Sequence, residues 1–134
     1  GDTTAAQVLP LLERHFGSWQ AAGSQRPSKA LPEAAKPAAP RVFLVDKPGA
    51  VQSNILVGQV LASSSAPNRL ETDTMNNVLG GTFTSRINMN LREDKHWSYG
   101  ARSSLPDALG GRPWLLSAPV QTDKTVESLR ELQR

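Results

Sequence analysis

Apolar residues change their spacing several times along the chain, and each change predicts an element. Val8, Leu9, Leu12 and Phe16 recur at helical intervals, with Thr3 or Thr4 available as an N-cap and Gly17 as a stop. Pro10 interrupts that run, so it predicts either a kink or a helix whose regular part begins near Pro10 itself. His15 falls in the last turn, where a cation suits the helix dipole, and is read as a surface or capping residue. Val42 to Val45 is a short β-branched run, Asp46-Lys47-Pro48-Gly49 has the composition of a tight turn, and Val51 to Leu61 alternates loosely. Together they predict a β-hairpin, with the polar Gln52, Ser53 and Asn54 facing water or a neighbouring domain. Helical spacing returns at Asn68, with Leu70, Met75, Val78 and Leu79 near one face and Glu71 and Asp73 early, where the dipole favours acids.

Gly80-Gly81 then weakens the pattern. Two glycines inside a helix cost about 2 kcal/mol relative to alanine, so the pair marks a hinge beside a cleft or a place where another element approaches closely. Beyond it, Ser85 is suited to cap a new helix in which Ile87 and Leu91 share one face, with Arg92 and Glu93 beside them near its end. A short polar strand, SYGARSS, follows. Pro106-Asp107 and Gly110-Gly111 mark a loop, and Trp114 to Thr122 reads as a strand that Pro119 assigns to an edge or a bulge. Thr122 or Asp123 caps a last helix with Val126, Leu129 and Leu132 on its apolar face. This order predicts an α+β fold, with helices packed on one face of an antiparallel sheet, and no internal repeat.

Three segments organise the chain. Residues 1–19 form the helical end of a first structural half, and residues 41–134 form a second α/β half. Between them, residues 20–40 hold four prolines, many alanines and no amphipathic period, which is the composition of an extended linker. Trp19 is expected to anchor the start of that linker by packing. The chain also reads as an excerpt, opening at Gly1-Asp2 and stopping inside a helix at Arg134.

Composition narrows the function classes. With 134 residues the chain is long enough to bury roughly two-thirds of its unfolded surface without staples. Only three Phe, three Trp and one Tyr are present, so the core rests mainly on Leu and Val. The absence of cysteine excludes disulfides and any thiolate nucleophile or metal site. A net charge of +3 is spread without any Lys/Arg-rich run, which argues against a nucleic-acid footprint. No apolar run approaches the roughly 20 residues of a membrane-spanning helix.

Arg92 and Tyr99 are the candidate binding pair. They lie seven positions apart across a helix-to-strand junction, which allows a guanidinium and a phenol to face one cleft. Arg supplies fixed donors and a permanent charge, Tyr a neutral hydroxyl donor, and together they suit the oxygen of a peptide carbonyl or of the tetrahedral intermediate formed from it. Residue types alone favour a solvated helix-end cation and a half-buried strand residue.

The run LGGTFTSRINMNLREDKHWSYGARSS resembles part of the C-terminal, non-zinc domain of the pitrilysin/insulinase family of zinc metallopeptidases, which includes the mitochondrial processing peptidases. GDTTAAQVLPLLERHFGSW, VFLVDKPGAVQSNILVGQV and VQTDKTVESLREL are similar to its neighbouring blocks in the same order. The resemblance implies that Arg92 and Tyr99 contact the substrate across from a metal, and that Gly80 and Gly81 correspond to the glycine-rich segment of the processing peptidase's regulatory subunit, here short. It also implies a peptide substrate, a zinc-bearing homologous domain on the same or another chain, and a bacterial periplasmic setting. The zinc itself is expected on that partner domain. The inverted motif His-x-x-Glu-His is absent, and His15 and His96 are the only histidines, so this chain supplies no such zinc site. A phosphate loop, a nucleophile elbow and a dinucleotide fingerprint are also absent, so catalysis by this chain alone is not expected. Three functions stay open: the substrate-binding half of a zinc peptidase, a non-catalytic binding or scaffold member of the same family, and a basic nucleic-acid-binding module.

Overall fold

The computed structural model describes residues 1–20, 23, 28–32, 34, 35 and 37–134. Much of the linker predicted over residues 20–40 lies outside the described residues. Two units are distinguished, Gly1–Ala30 and Leu31–Arg134.

In the first unit, helix α1 spans Ala5–Phe16. Thr4 caps it through a reciprocal box in which its side chain accepts from the Gln7 N–H while Gln7 Oε1 accepts from the Thr4 N–H at 2.9 Å. This early cap starts the helix at Ala5, not near Pro10, and Pro10 lies inside it. Gly17 closes the helix, its N–H donating to the Glu13 carbonyl at 2.8 Å. Trp19 does not pack as an anchor. It is 80% exposed, its ring tilted against that of Phe16 with the centroids 6.5 Å apart, because α1 buries none of its own residues and offers no enclosed surface.

The second unit holds a three-stranded antiparallel sheet in the order β1-β3-β2, with β1 at Gln52–Leu61, β2 at Arg102–Ser104 and β3 at Arg112–Gln121. Helix α2 covers Arg69–Asn76 and continues as a π-helical turn over Asn77–Gly81. Helix α3 starts at Arg86–Asn88 and likewise widens into a π-helical stretch, Met89–Asp94. A 3₁₀ turn at Thr122–Lys124 leads into α4, Thr125–Leu132. Residues directly opposite one another share a sheet face. Ile55, Ala118, Leu116 and Val120 therefore lie on the covered side, where they form one core with Ile87, Leu91 and Ala101. Ile87 and Leu91 share the buried face that their four-residue spacing predicts, and burying Leu91 completely contributes about 2–3 kcal/mol. The fold class is the predicted one, α+β with helices on one face of an antiparallel sheet.

Several local expectations are corrected. Asp46-Lys47-Pro48-Gly49 forms its turn, with Gly49 at φ 77° and the Ala50 N–H donating to the Lys47 carbonyl at 3.1 Å. The preceding Val42–Val45 is not a strand, and its side chains are 80–93% exposed. The β1 ladder is made entirely with β3, so no hairpin forms across the turn.

The buried face of α2 is polar. Asn76 is buried, Leu79 only partly, while Leu70, Met75 and Val78 face outward. Asn76 Oδ1 accepts from Ser103 Oγ at 2.7 Å and from Trp114 Nε1 at 2.9 Å, which allows an amide to replace an apolar side chain there. In α4 the buried residue is Ser128, while Val126 and Leu129 remain 56% and 42% exposed and Leu132 packs partly on the core. The helix is entered through the 3₁₀ turn with no side-chain cap. Thr122 instead donates to the Ala50 carbonyl.

Pro119 is in the central strand, not at an edge. Its carbonyl accepts from Ser98 Oγ, so its nitrogen points to that same side, where β2 has already ended. The missing N–H therefore leaves no ladder bond unmade.

Arg112 ties the far end of β3 to α2. Its guanidinium is almost completely buried and donates to Asp73, to the Leu105 carbonyl at 3.1 Å and to the Pro106 carbonyl at 3.4 Å. Arg69 completes the cluster by donating to Asp107 at 2.9 Å and Asp73 at 3.3 Å. The hydrogen bond from Arg112 holds the Asp73 carboxyl below the ordinary carboxylate value, against the opposing effect of burial.

Candidate functional site

Arg92 and Tyr99 are brought together by the way the chain leaves α3. Ser85 precedes that helix in extended conformation, φ −66° and ψ 155°, but its buried hydroxyl makes no cap bond, so the entry is set by backbone alone. At the other end the Lys95 N–H donates to the Asn90 carbonyl at 3.0 Å, a five-residue bond that widens the last turn. His96 then adopts a left-handed conformation, φ 56°, with its Nδ1 against the Arg92 carbonyl at 3.1 Å. This is the helix-ending position usually taken by glycine, and His is among the residues that tolerate it. The N–H groups of Trp97 and Ser98 both donate to the Leu91 carbonyl, at 3.0 and 3.2 Å. The chain thus doubles back, and Tyr99 returns alongside Arg92.

The guanidinium carbon of Arg92 sits 5.3 Å from the centre of the Tyr99 ring and 4.6 Å from that of Phe83. Its Nε also approaches Glu93 at 3.3 Å. Stacking two rings against the cation fixes its plane while leaving much of its fork available. Tyr99 is 86% exposed, not half-buried, and its hydroxyl has no hydrogen-bond partner among the described residues.

Asn88 holds the frame. Its Nδ2 donates to the Phe83 carbonyl at 2.7 Å, and its Oδ1 accepts from the Ala101 N–H at 3.1 Å. One buried amide thereby links the loop carrying Phe83 to the strand that follows Tyr99. Neither Phe83 nor Asn88 stands out in the sequence, since a Phe in a loop and an Asn in a helix carry no periodic signal. Their roles arise from contacts across the fold.

Around these residues lies a concavity of about 520 Å³, bounded by Gly80 to Phe83, Arg92, Tyr99 to Arg102, and Ser117 and Pro119 of β3. Both π-helical turns contribute to its wall, Gly80 and Gly81 from one and Arg92 from the other. Gly80 lies so close to β2 that a Cβ there would fall 2.4 Å from Ser103 Oγ and 2.6 Å from the Ser103 nitrogen. Glycine at this position is therefore the condition for close packing. Among the described residues no cluster of His, Asp and Glu could hold a metal, and no helix is long and apolar enough to cross a membrane.

A shallow, open, arginine-bearing concavity next to an antiparallel sheet suits capture of an extended polar chain. Comparison with known proteins gives this geometry a family. The model of the peptidase M16 inactive domain matches residues 1–134, and the chain belongs to that family, as the metallopeptidase-like blocks in the sequence imply. It is a piece of the non-catalytic, C-terminal part of that fold. No curated protein matches its sequence. Three solved structures share the fold at low identity. A peptidase M16 inactive domain from Pseudomonas fluorescens is 20% identical, with a TM-score of 0.67, over 81% of this chain and 26% of that one. A protease from Helicobacter pylori is 19% identical, with a TM-score of 0.72, over 98% and 32%. A conserved protein from Enterococcus faecalis is 17% identical, with a TM-score of 0.54, over 99% and 30%. The chain therefore spans about a quarter to a third of the length of these structures.

Proposed function

We propose that this chain is the substrate-binding, non-zinc part of a zinc-dependent peptidase, in which Arg92 and Tyr99 hold the peptide carbonyl opposite a zinc site on a partner M16 domain. The observation that carries this reading is the stacked Arg92–Tyr99 pair opening onto the concavity with an unpartnered phenol. When water attacks a carbonyl, negative charge grows on its oxygen, and donors already aimed at that point gain strength as the reaction proceeds. Phe83 beneath the guanidinium and Asn88 behind the loop keep that aim without joining the chemistry. Zinc on the partner would activate the water. This chain's residues orient the substrate and meet the charge.

The test is peptide cleavage by the protein assembled with its zinc-bearing domain. Tyr99→Phe removes only a hydroxyl and should lower kcat on the order of a hundredfold, ~3 kcal/mol, with a much smaller change in KM. Cleavage at the parental rate by folded Tyr99→Phe and Arg92→Lys proteins would refute the paired-donor role. A second reading, a non-catalytic peptide-binding or scaffold member of the family, draws on the approach of Glu93 to Arg92, which partly occupies the cation. It predicts peptide binding without turnover when the partner domain is supplied.

A further inference from the structure

The outer, uncovered face of the sheet carries a second concavity, about 330 Å³, floored by Leu56, Leu115 and Ser104. It shares Arg102 and Ser117 with the first, residues that are direct partners in the β2–β3 ladder, so the two concavities adjoin with Arg102 at the junction of this groove. Arg102 differs from Arg92 and Arg112. Arg92 has Glu93, and Arg112 has Asp73, whereas Arg102 is exposed and makes no ion pair or side-chain hydrogen bond with any described residue. No Asp or Glu lines either concavity. Beside this cation, Leu56 and Leu115 stand 76% and 49% exposed, giving a small apolar surface within reach of the same ligand.

We infer that Arg102 is a specificity residue that receives a carboxylate of the bound peptide, so that the groove selects a segment with an acidic side chain close to an apolar one. The inference rests on the proposed peptide-binding role and adds to it the chemical class of peptide. A guanidinium presents a planar fork to a carboxylate, and on an open surface the resulting preference is modest and sensitive to salt.

The experiment uses the 134-residue chain and two fluorescein-labelled octapeptides, AAFEALAA and AAFQALAA, titrated at about 20 mM and about 0.5 M salt. The glutamate peptide should bind about threefold tighter than its twin at low salt, the gap should shrink at high salt, and Arg102→Gln should close it. Circular dichroism confirms that the exposed substitution leaves the fold intact. Equal binding of the twins to the parent chain, or a gap that survives in Arg102→Gln, overturns the assignment while the peptide-binding reading stands. A folded parent chain that binds neither peptide overturns that reading, and the inference with it.

Discussion

On the covered side of the sheet, Arg112 is enclosed and directs its guanidinium at Asp73 and the carbonyls of Leu105 and Pro106. At the first concavity, Arg92 instead lies against two aromatic rings, approaches one carboxylate through Nε, and lines the cavity wall. The same side chain thus serves opposite ends. A guanidinium surrounded by acceptors fastens elements together and has nothing left to offer a ligand. A guanidinium held by ring faces keeps its orientation without using up its donors. On the proposed function, this support by stacking is what leaves the Arg92 guanidinium available to a substrate, whereas Arg112 is committed to the fold.

The largest test of that distinction is Arg112→Ala. It opens a cavity and strips two carbonyls of their donor, so unfolding in urea should show a loss of about 2–4 kcal/mol. A change below about 0.5 kcal/mol would mean that the buried arginine is no fastener. Gly80→Ala should come next, at about 1–3 kcal/mol, because its methyl group would have to displace the Ser103 backbone. Thermal denaturation reads it, and an unchanged midpoint would show that β2 gives way freely.

Arg92→Ala should shift stability by only about 0.5–1 kcal/mol, the worth of a partly exposed cation over a ring. A loss as large as that of Arg112→Ala would make Arg92 structural and erase the contrast between the two. The smallest effect concerns pH. Asp73 has a folded pKa below the ordinary 3.8, so its contribution is fully present above that value and is lost as pH falls through the lowered one. Denaturant titrations below pH 4 should therefore show a steeper decline for the parent chain than for Asp73→Asn. Parallel slopes would remove Asp73 from the account.

The fold class was legible because Ile87 and Leu91, the Pro48-Gly49 turn and the β1 run follow simple periodicities. The meeting of Arg92 and Tyr99 was legible from their spacing across one junction. The faces of α2 and α4 were not. Apolar spacing points to Met75, Val78, Val126 and Leu129, yet the buried positions belong to Asn76 and Ser128. Asn76 is retained there by hydrogen bonds to Ser103 and Trp114, which are distant in sequence. Arg112 escaped notice for the same reason, since a lone arginine beside Pro113 gives no sign of the three hydrogen-bond partners waiting around it. Val42–Val45 shows the converse: strand composition predicts a strand only where a neighbour supplies its ladder bonds.

The two prolines of β3 have a consequence for registry. Backbone groups alternate sides along a strand, so those of Pro113, Leu115, Ser117 and Pro119 all point towards β2, and only Leu115 and Ser117 bring hydrogens. A β2 strand slipped by two residues in either direction would set one of its carbonyls opposite a proline nitrogen that cannot donate. The edge strand is thereby confined to a single alignment, opposite residues 115–117. That alignment holds Arg102 opposite Ser117, the pair that lines both concavities, and so fixes where along the sheet this guanidinium stands.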